Sequence, residues 1–126
     1  MNKNVKFYVC PICGNVISLI DGDIARIMCC GREMKLLVAN TKEASLEKHI
    51  PVYEKVEDEI VVRVGELEHP MEKDHYIMWI AQVTENKMIR VQLYPEQATE
   101  TRFPYIKDSS LYAYCNKHGL WKNIIK

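Results

Sequence analysis

The sequence predicts a mainly β protein in two parts. A small four-cysteine unit covers residues 1–38, and an antiparallel β-sandwich of immunoglobulin type, with about seven strands, covers residues 39–126. Three observations lead there. Cys10, Cys13, Cys29 and Cys30 lie in the first quarter as C-x2-C-x15-C-C. Short apolar stretches broken by turn residues follow one another through the remainder. No long stretch carries a helical period.

The first part alternates the apolar stretches Phe7 to Val9, Val16 to Ile20, Ile24 to Met28 and Met34 to Val38 with turns at Gly14, Asp21-Gly22 and Gly31. So small a unit cannot bury enough surface to stay folded alone, and a metal held by four thiolates is a standard remedy. Asn40 to Lys48 is polar and reads as a connector with a short helix, Asn40 as its cap and Glu43 in the capping-box place. Pro51 excludes Ile50 from helical geometry, so that helix ends by His49. Seven strands are then expected: Val52–Val56, Ile60–Val64, Tyr76–Thr84, Met88–Tyr94, Thr99–Tyr105, Leu111–Tyr114 and Leu120–Ile125. Glu57-Asp58-Glu59 and Glu85-Asn86-Lys87 supply turns. In the third of these strands Ile77, Trp79, Ala81 and Val83 form one apolar face at period two.

Composition narrows the function. Acidic and basic residues balance at 17 each, so bulk attraction to nucleic acid or a membrane surface is not expected. The opening MNKNVKFYVC has no apolar leader core, and runs such as Ile77 to Ala81 are far below spanning length. A cytoplasmic protein is the expectation. Thiols stay reduced there, and an odd total of 5 cysteines cannot all pair within the chain, so clustered cysteines read as ligands.

Cys10-Pro11-Ile12-Cys13-Gly14 is a metal knuckle, with two thiolates three positions apart and a glycine that lets backbone amides turn toward sulfur. Cys29 and Cys30 supply the second pair. Adjacent residues of a strand point to opposite faces, so both sulfurs reach one ion only across a sharp turn. An all-sulfur tetrahedral site suits zinc or iron, and spacing does not choose between a redox iron and a structural zinc ribbon. The other ligand types, His49, His69, His75, Cys115 and His118, are spread along the second part. A lone histidine is more often a surface or core residue than a ligand. Here, however, His69 and His75 flank one short loop, and Cys115-Asn116-Lys117-His118-Gly119 is a second knuckle.

Glu47-Lys48-His49-Ile50-Pro51-Val52, His69-Pro70-Met71 leading to His75-Tyr76-Ile77-Met78-Trp79-Ile80, and Tyr114-Cys115-Asn116-Lys117-His118-Gly119-Leu120-Trp121 resemble the signature segments of the superoxide reductases. With the N-terminal cysteines included, essentially the whole chain resembles the desulfoferrodoxins, the two-iron form of that family. One-iron relatives lack some or all of those cysteines. The resemblance implies a desulforedoxin-like first domain whose Cys10, Cys13, Cys29 and Cys30 bind a rubredoxin-like iron, center I. It implies a second iron, center II, with His49, His69, His75 and His118 in its plane and Cys115 on its axis. Glu47 would ligate the ferric form as sixth ligand. Lys48 would place a charge and a hydrogen-bond donor near the incoming anion. The implied activity is one-electron reduction of superoxide to hydrogen peroxide without release of dioxygen. Rubredoxin or a similar small carrier would be the donor, and a homodimer the assembly.

Ligand charge agrees with that assignment. Four thiolates outweigh a divalent ion, whereas four neutral imidazoles and one thiolate leave it cationic with one position open. An anion is repelled by the first site and drawn to the second, by about 4 kcal/mol per charge pair at roughly 4 Å and an effective dielectric of about 20. Steering by Lys48 would weaken with salt. Two other readings compete. One is a cupredoxin-like electron carrier using Cys115, His118, another histidine and Met71 on copper; the other is a zinc-stabilised binding module without redox activity. Tyr114 and Trp121 read as core residues rather than redox relays.

Overall fold

A computed structural model describes residues 5–23, 26–40, 49–65 and 70–126. The chain divides into two compact units, Asn2–Val38 and Ala39–Lys126. No helix among the described residues is long and apolar enough to cross a membrane.

Among the described residues the first unit holds five short strands: β1 (Lys6–Val9), β2 (Val16–Leu19), β3 (Met28–Cys29), β4 (Arg32–Glu33) and β5 (Lys35–Leu36). β1 lies between β2 and β5, and β3 and β4 form a separate hairpin. Of the stretch expected over Ile24 to Met28, Ile24 and Ala25 lie outside the described residues, and only Met28 enters a strand. The core is correspondingly small: Tyr8, Cys10 and Met34, with Leu19, Ile27 and Cys29 against it. Ile12, Ile20, Met28, Leu36 and Val38 remain exposed.

The second unit carries β6 (Pro51–Val56), β7 (Glu59–Val64), β8 (Ile77–Val83), β9 (Met88–Gln92), β10 (Thr101–Pro104), β11 (Ser110–Cys115) and β12 (Gly119–Ile124). They form two antiparallel sheets, in the orders β10-β7-β6 and β12-β11-β8-β9. The expected sandwich is therefore present. Ile60, Val62 and Val64 of β7 and Phe103 of β10 meet Ile80 of β8 and Leu111, Ala113 and Cys115 of β11 in one core. Burying an aliphatic side chain of this size contributes about 1.5–3 kcal/mol, so this core dominates the stability of the unit.

Two local expectations are corrected. Between Tyr114–Trp79 and Cys115–Ile77 the β11–β8 register shifts, leaving Met78 as a bulge on β8. A bulge inserts one residue and so inverts the alternation beyond it. Ile77 therefore joins Ile80 in the core between the sheets, while Trp79 stands on the opposite face and stacks on Tyr114 at 5.5 Å. Ile77 and Trp79 do not share a face. The second correction concerns Asn40. Its Oδ1 accepts the Lys122 N–H at 2.9 Å, its Nδ2 donates to the Lys122 carbonyl at 3.2 Å, and its own N–H donates to the Leu120 carbonyl at 2.9 Å. At φ +62° Asn40 is left-handed rather than in the extended backbone of a capping residue, and its side chain serves β12. The helix expected after it falls on residues 41–48, outside the described residues. His49 is helical, Ile50 bends, and β6 begins at Pro51.

Candidate metal centres

The first site is built on two turns. At the Cys10 knuckle, Gly14 adopts φ +78° and its N–H returns to the Cys10 carbonyl at 3.1 Å. The Ile12 and Cys13 N–H groups then face the Cys10 sulfur at 3.4 and 3.5 Å. At the other turn β3 and β4 are joined by Cys30-Gly31, with φ +54° and +74°. Two positive φ values across a two-residue hairpin are a type I′ turn. That corner is how two adjacent cysteines serve one site. All four sulfurs lie within 4.8 Å of one another, and all are free thiols.

The spacing fits a tetrahedral ion. Metal–sulfur bonds of about 2.3 Å give a tetrahedral edge of about 3.8 Å. The separations Cys13–Cys29 and Cys29–Cys30 are 3.7 and 3.9 Å. Protonation points the same way. The Cys13 N–H, followed by that of Ile12, draws the Cys10 thiol down to about 6 against the effect of burial. Hydrogen bonds to Cys10 and then Cys13 push Cys29 up to about 12, and Cys30 is raised chiefly by its bond to Cys13. Cys29 and Cys30 thus resist ionising beside their neighbours, and a multivalent cation removes that resistance.

The second site lies where β11 ends. Cys115 closes β11 on its core-facing side, fully buried. A three-residue turn leads to Gly119, at φ +80°, which opens β12 opposite Cys115. The turn brings the His118 Nδ1 to 3.9 Å from the Cys115 sulfur. His49 arrives just before β6 and places its Nε2 at 2.9 Å from that same Nδ1. His75 comes from the segment preceding β8, its ring 4.9 Å from that of His118 and inclined at 76°. The donor atoms of His49, His75, Cys115 and His118 all lie within 4.8 Å of one another. Two nitrogens at right angles, each about 2.1 Å from a metal, stand about 3.0 Å apart. The His49–His118 separation suits that arrangement.

Electrostatics agree with a ligand role. Burial, followed by electrostatic repulsion from His118 and Lys117, lowers the His75 pKa, which favours the neutral ring a metal needs. Burial pushes the Cys115 thiol up, against the pull of the His118 and Lys117 amides, so ionising it calls for a cation. His69, Glu47 and Lys48 lie outside the described residues. The Met71 sulfur accepts the Ile77 N–H at 3.4 Å.

Two supporting residues carried no signal of this kind in the sequence. Trp121 is buried as expected of a core residue, yet it also holds the site. Its ring stacks on His49 at 4.9 Å, and its Nε1 donates to the His118 carbonyl at 3.0 Å. Asn116, inside the knuckle, bonds the segment on either side of His75. An indole is always an apolar bulk and an asparagine always a turn former, so neither declares a ligand-supporting role from its type.

Comparison with known proteins places these features in a family. The family model "Desulfoferrodoxin, N-terminal domain" matches residues 2–37, and "Desulfoferrodoxin" matches residues 41–124. The chain is 41% identical over 124 residues to the desulfoferrodoxin of Syntrophotalea carbinolica, covering 98% of each. To that of Nitratidesulfovibrio vulgaris it is 38% identical, over 97% of this chain and 98% of the relative. The crystal structure of the superoxide reductase from Treponema pallidum superposes with a TM-score of 0.78 at 27% identity, over 98% of this chain and 99% of that one. The one-iron superoxide reductase from Giardia intestinalis gives 0.55 at 28% identity, over 64% of this chain and 98% of its own. Matched by both family models and by relatives along nearly its full length, this chain belongs to the desulfoferrodoxin family.

Proposed function

We propose that this chain is a superoxide reductase. It takes one electron from a small carrier and delivers it, with protons, to superoxide, giving hydrogen peroxide and no dioxygen. The observation that carries this reading is the sorting of donors on a chain of this family. Four sulfurs gather in one unit, while imidazoles and a single sulfur gather in the other. Iron is the cofactor in both places, and there it would supply one electron at a time by moving between its ferrous and ferric states.

Residues 1–38 would form the center I domain, with Cys10, Cys13, Cys29 and Cys30 holding the first iron. Residues 39–126 would form the reactive domain, with His49, His69, His75, His118 and Cys115 holding the second. Neutral imidazoles and one thiolate leave that site cationic, as capture of an anion requires. Glu47 would close the site in its ferric state. Lys48 would draw superoxide in and order the protons that it needs. Rubredoxin or a similar carrier is the donor in this reading. The apolar side chains left exposed on the small unit, Ile12, Ile20, Met28 and Val38, support a second copy of the chain as partner. The free cysteines suit a reducing, cytoplasmic setting.

The cupredoxin alternative is disfavoured because a third histidine joins the donor group and the four-cysteine cluster has no part in it. The test is metal analysis of protein from iron-replete cells, together with product analysis under a superoxide flux. About two irons per chain and peroxide formed without dioxygen are expected. Zinc at both sites, or dioxygen evolved alongside peroxide, would sink the proposal.

A further inference from the structure

The ladder between β11 and β8 ends at the pair Cys115–Ile77. One residue beyond it, where no strand pairing continues, Asn116 takes over. Its Oδ1 accepts the Tyr76 N–H at 2.9 Å, and its Nδ2 donates to the Asp74 carbonyl at 3.0 Å. Its own N–H donates to the Tyr76 carbonyl at 3.2 Å. These bonds grip the backbone immediately before and after His75. The backbone of His75 itself closes on Glu72, donating at 3.2 Å and accepting at 2.9 Å. The segment carrying His75 is thus held on one side by its own turn and on the other by Asn116.

We infer that Asn116 is a positioning residue for the second metal site, fixing His75 against the Cys115–His118 turn across 40 residues of sequence. The inference rests on the metal-site reading above. The geometry demands an acceptor and a donor on one short planar group, which an asparagine side chain offers. An aspartate keeps the shape and the bond from Tyr76 but sets an acceptor against the Asp74 carbonyl. Alanine keeps neither side-chain bond. In both variants the main-chain bond to Tyr76 can persist, so the loss bears on the placement of His75 rather than on the fold of the sandwich.

Groups that orient metal ligands through a hydrogen bond typically contribute about 10- to 100-fold to metal affinity. The experiment uses the full-length iron-loaded chain and a ferrous chelator, with iron at each site followed by its own visible absorption. Asn116→Ala is expected to weaken iron binding at the His/Cys site by about 10- to 100-fold. Asn116→Asp should fall between alanine and the parent, and iron at the four-cysteine site should be unchanged in both. A shifted absorption of the thiolate-bearing site would accompany the loss. The inference is overturned if both variants keep parental affinity at the His/Cys site, or if the two sites weaken together. If the parent chain itself holds no iron at the His/Cys site, the metal-site reading fails instead.

Discussion

The turns Cys10–Gly14 and Cys115–Gly119 are the same backbone device set in two surroundings. Each starts with a cysteine, brings its second donor three positions later, and closes on a glycine near φ +80°. In each, the amides of the third and fourth residues serve the first sulfur. Yet the thiols respond in opposite directions. Cys10, within a thin cluster of Tyr8 and Met34, is drawn down to about 6, whereas Cys115, deep in the sandwich core, is raised. The surroundings outweigh the turn. The small unit is organised around its sulfurs, whereas the sandwich is organised around its core and gathers its metal donors where β11 ends.

Removing metal is the strongest way to break this comparison. Binding of a structural metal to small thiolate modules is worth about 10–16 kcal/mol near neutral pH, and such modules unfold without it. Chelation should therefore leave the strands of Asn2–Val38 unprotected in hydrogen exchange while β7, β8 and β11 stay protected. Equal protection in both units would show that the small unit holds itself together. Next in size is Cys115→Ser, which takes the single sulfur from the second site. Activity should fall by more than the about 100-fold expected for loss of a supporting hydrogen bond. Metal analysis should then give about one iron per chain, with the absorption of the four-cysteine site unaltered. The smallest effect comes from the glycines. A side chain at Gly14 meets no atom within 4 Å, so only its positive φ resists substitution. Gly14→Ala should cost about 1–2 kcal/mol, read as easier opening of the small unit with the sandwich unaffected. Gly119→Ala should cost a similar amount in the sandwich alone. An effect that crosses from one unit to the other would contradict the separation.

Much of this was legible in the residues, for physical reasons that differ by element. Cysteine and histidine are scarce and chemically singular, so Cys10, Cys13, Cys29, Cys30, His49, His75, Cys115 and His118 declared themselves and meet in two groups. Strands β6, β7, β9 and β12 were legible because alternation and turn residues bound them closely. The faces of β8 were not. Ile77 to Ala81 is apolar at every position, so no alternation marks where the bulge at Met78 inverts it. Asn40 reads locally as a cap, but its partner lies 82 residues away. Asn116 failed to signal for the same reason, its work being done on a distant backbone.

The bond between Asn40 and Lys122 has a consequence for modularity. Asn40 is the second residue of the sandwich unit, and Lys122 sits on its last strand. Entry to this domain is therefore pinned along its last strand, so a module placed before Ala39 meets a fixed point of attachment. An appended module joins there at a point that interrupts no strand and alters no strand order. The sandwich can thus gain or lose a neighbour while its own metal donors keep their places.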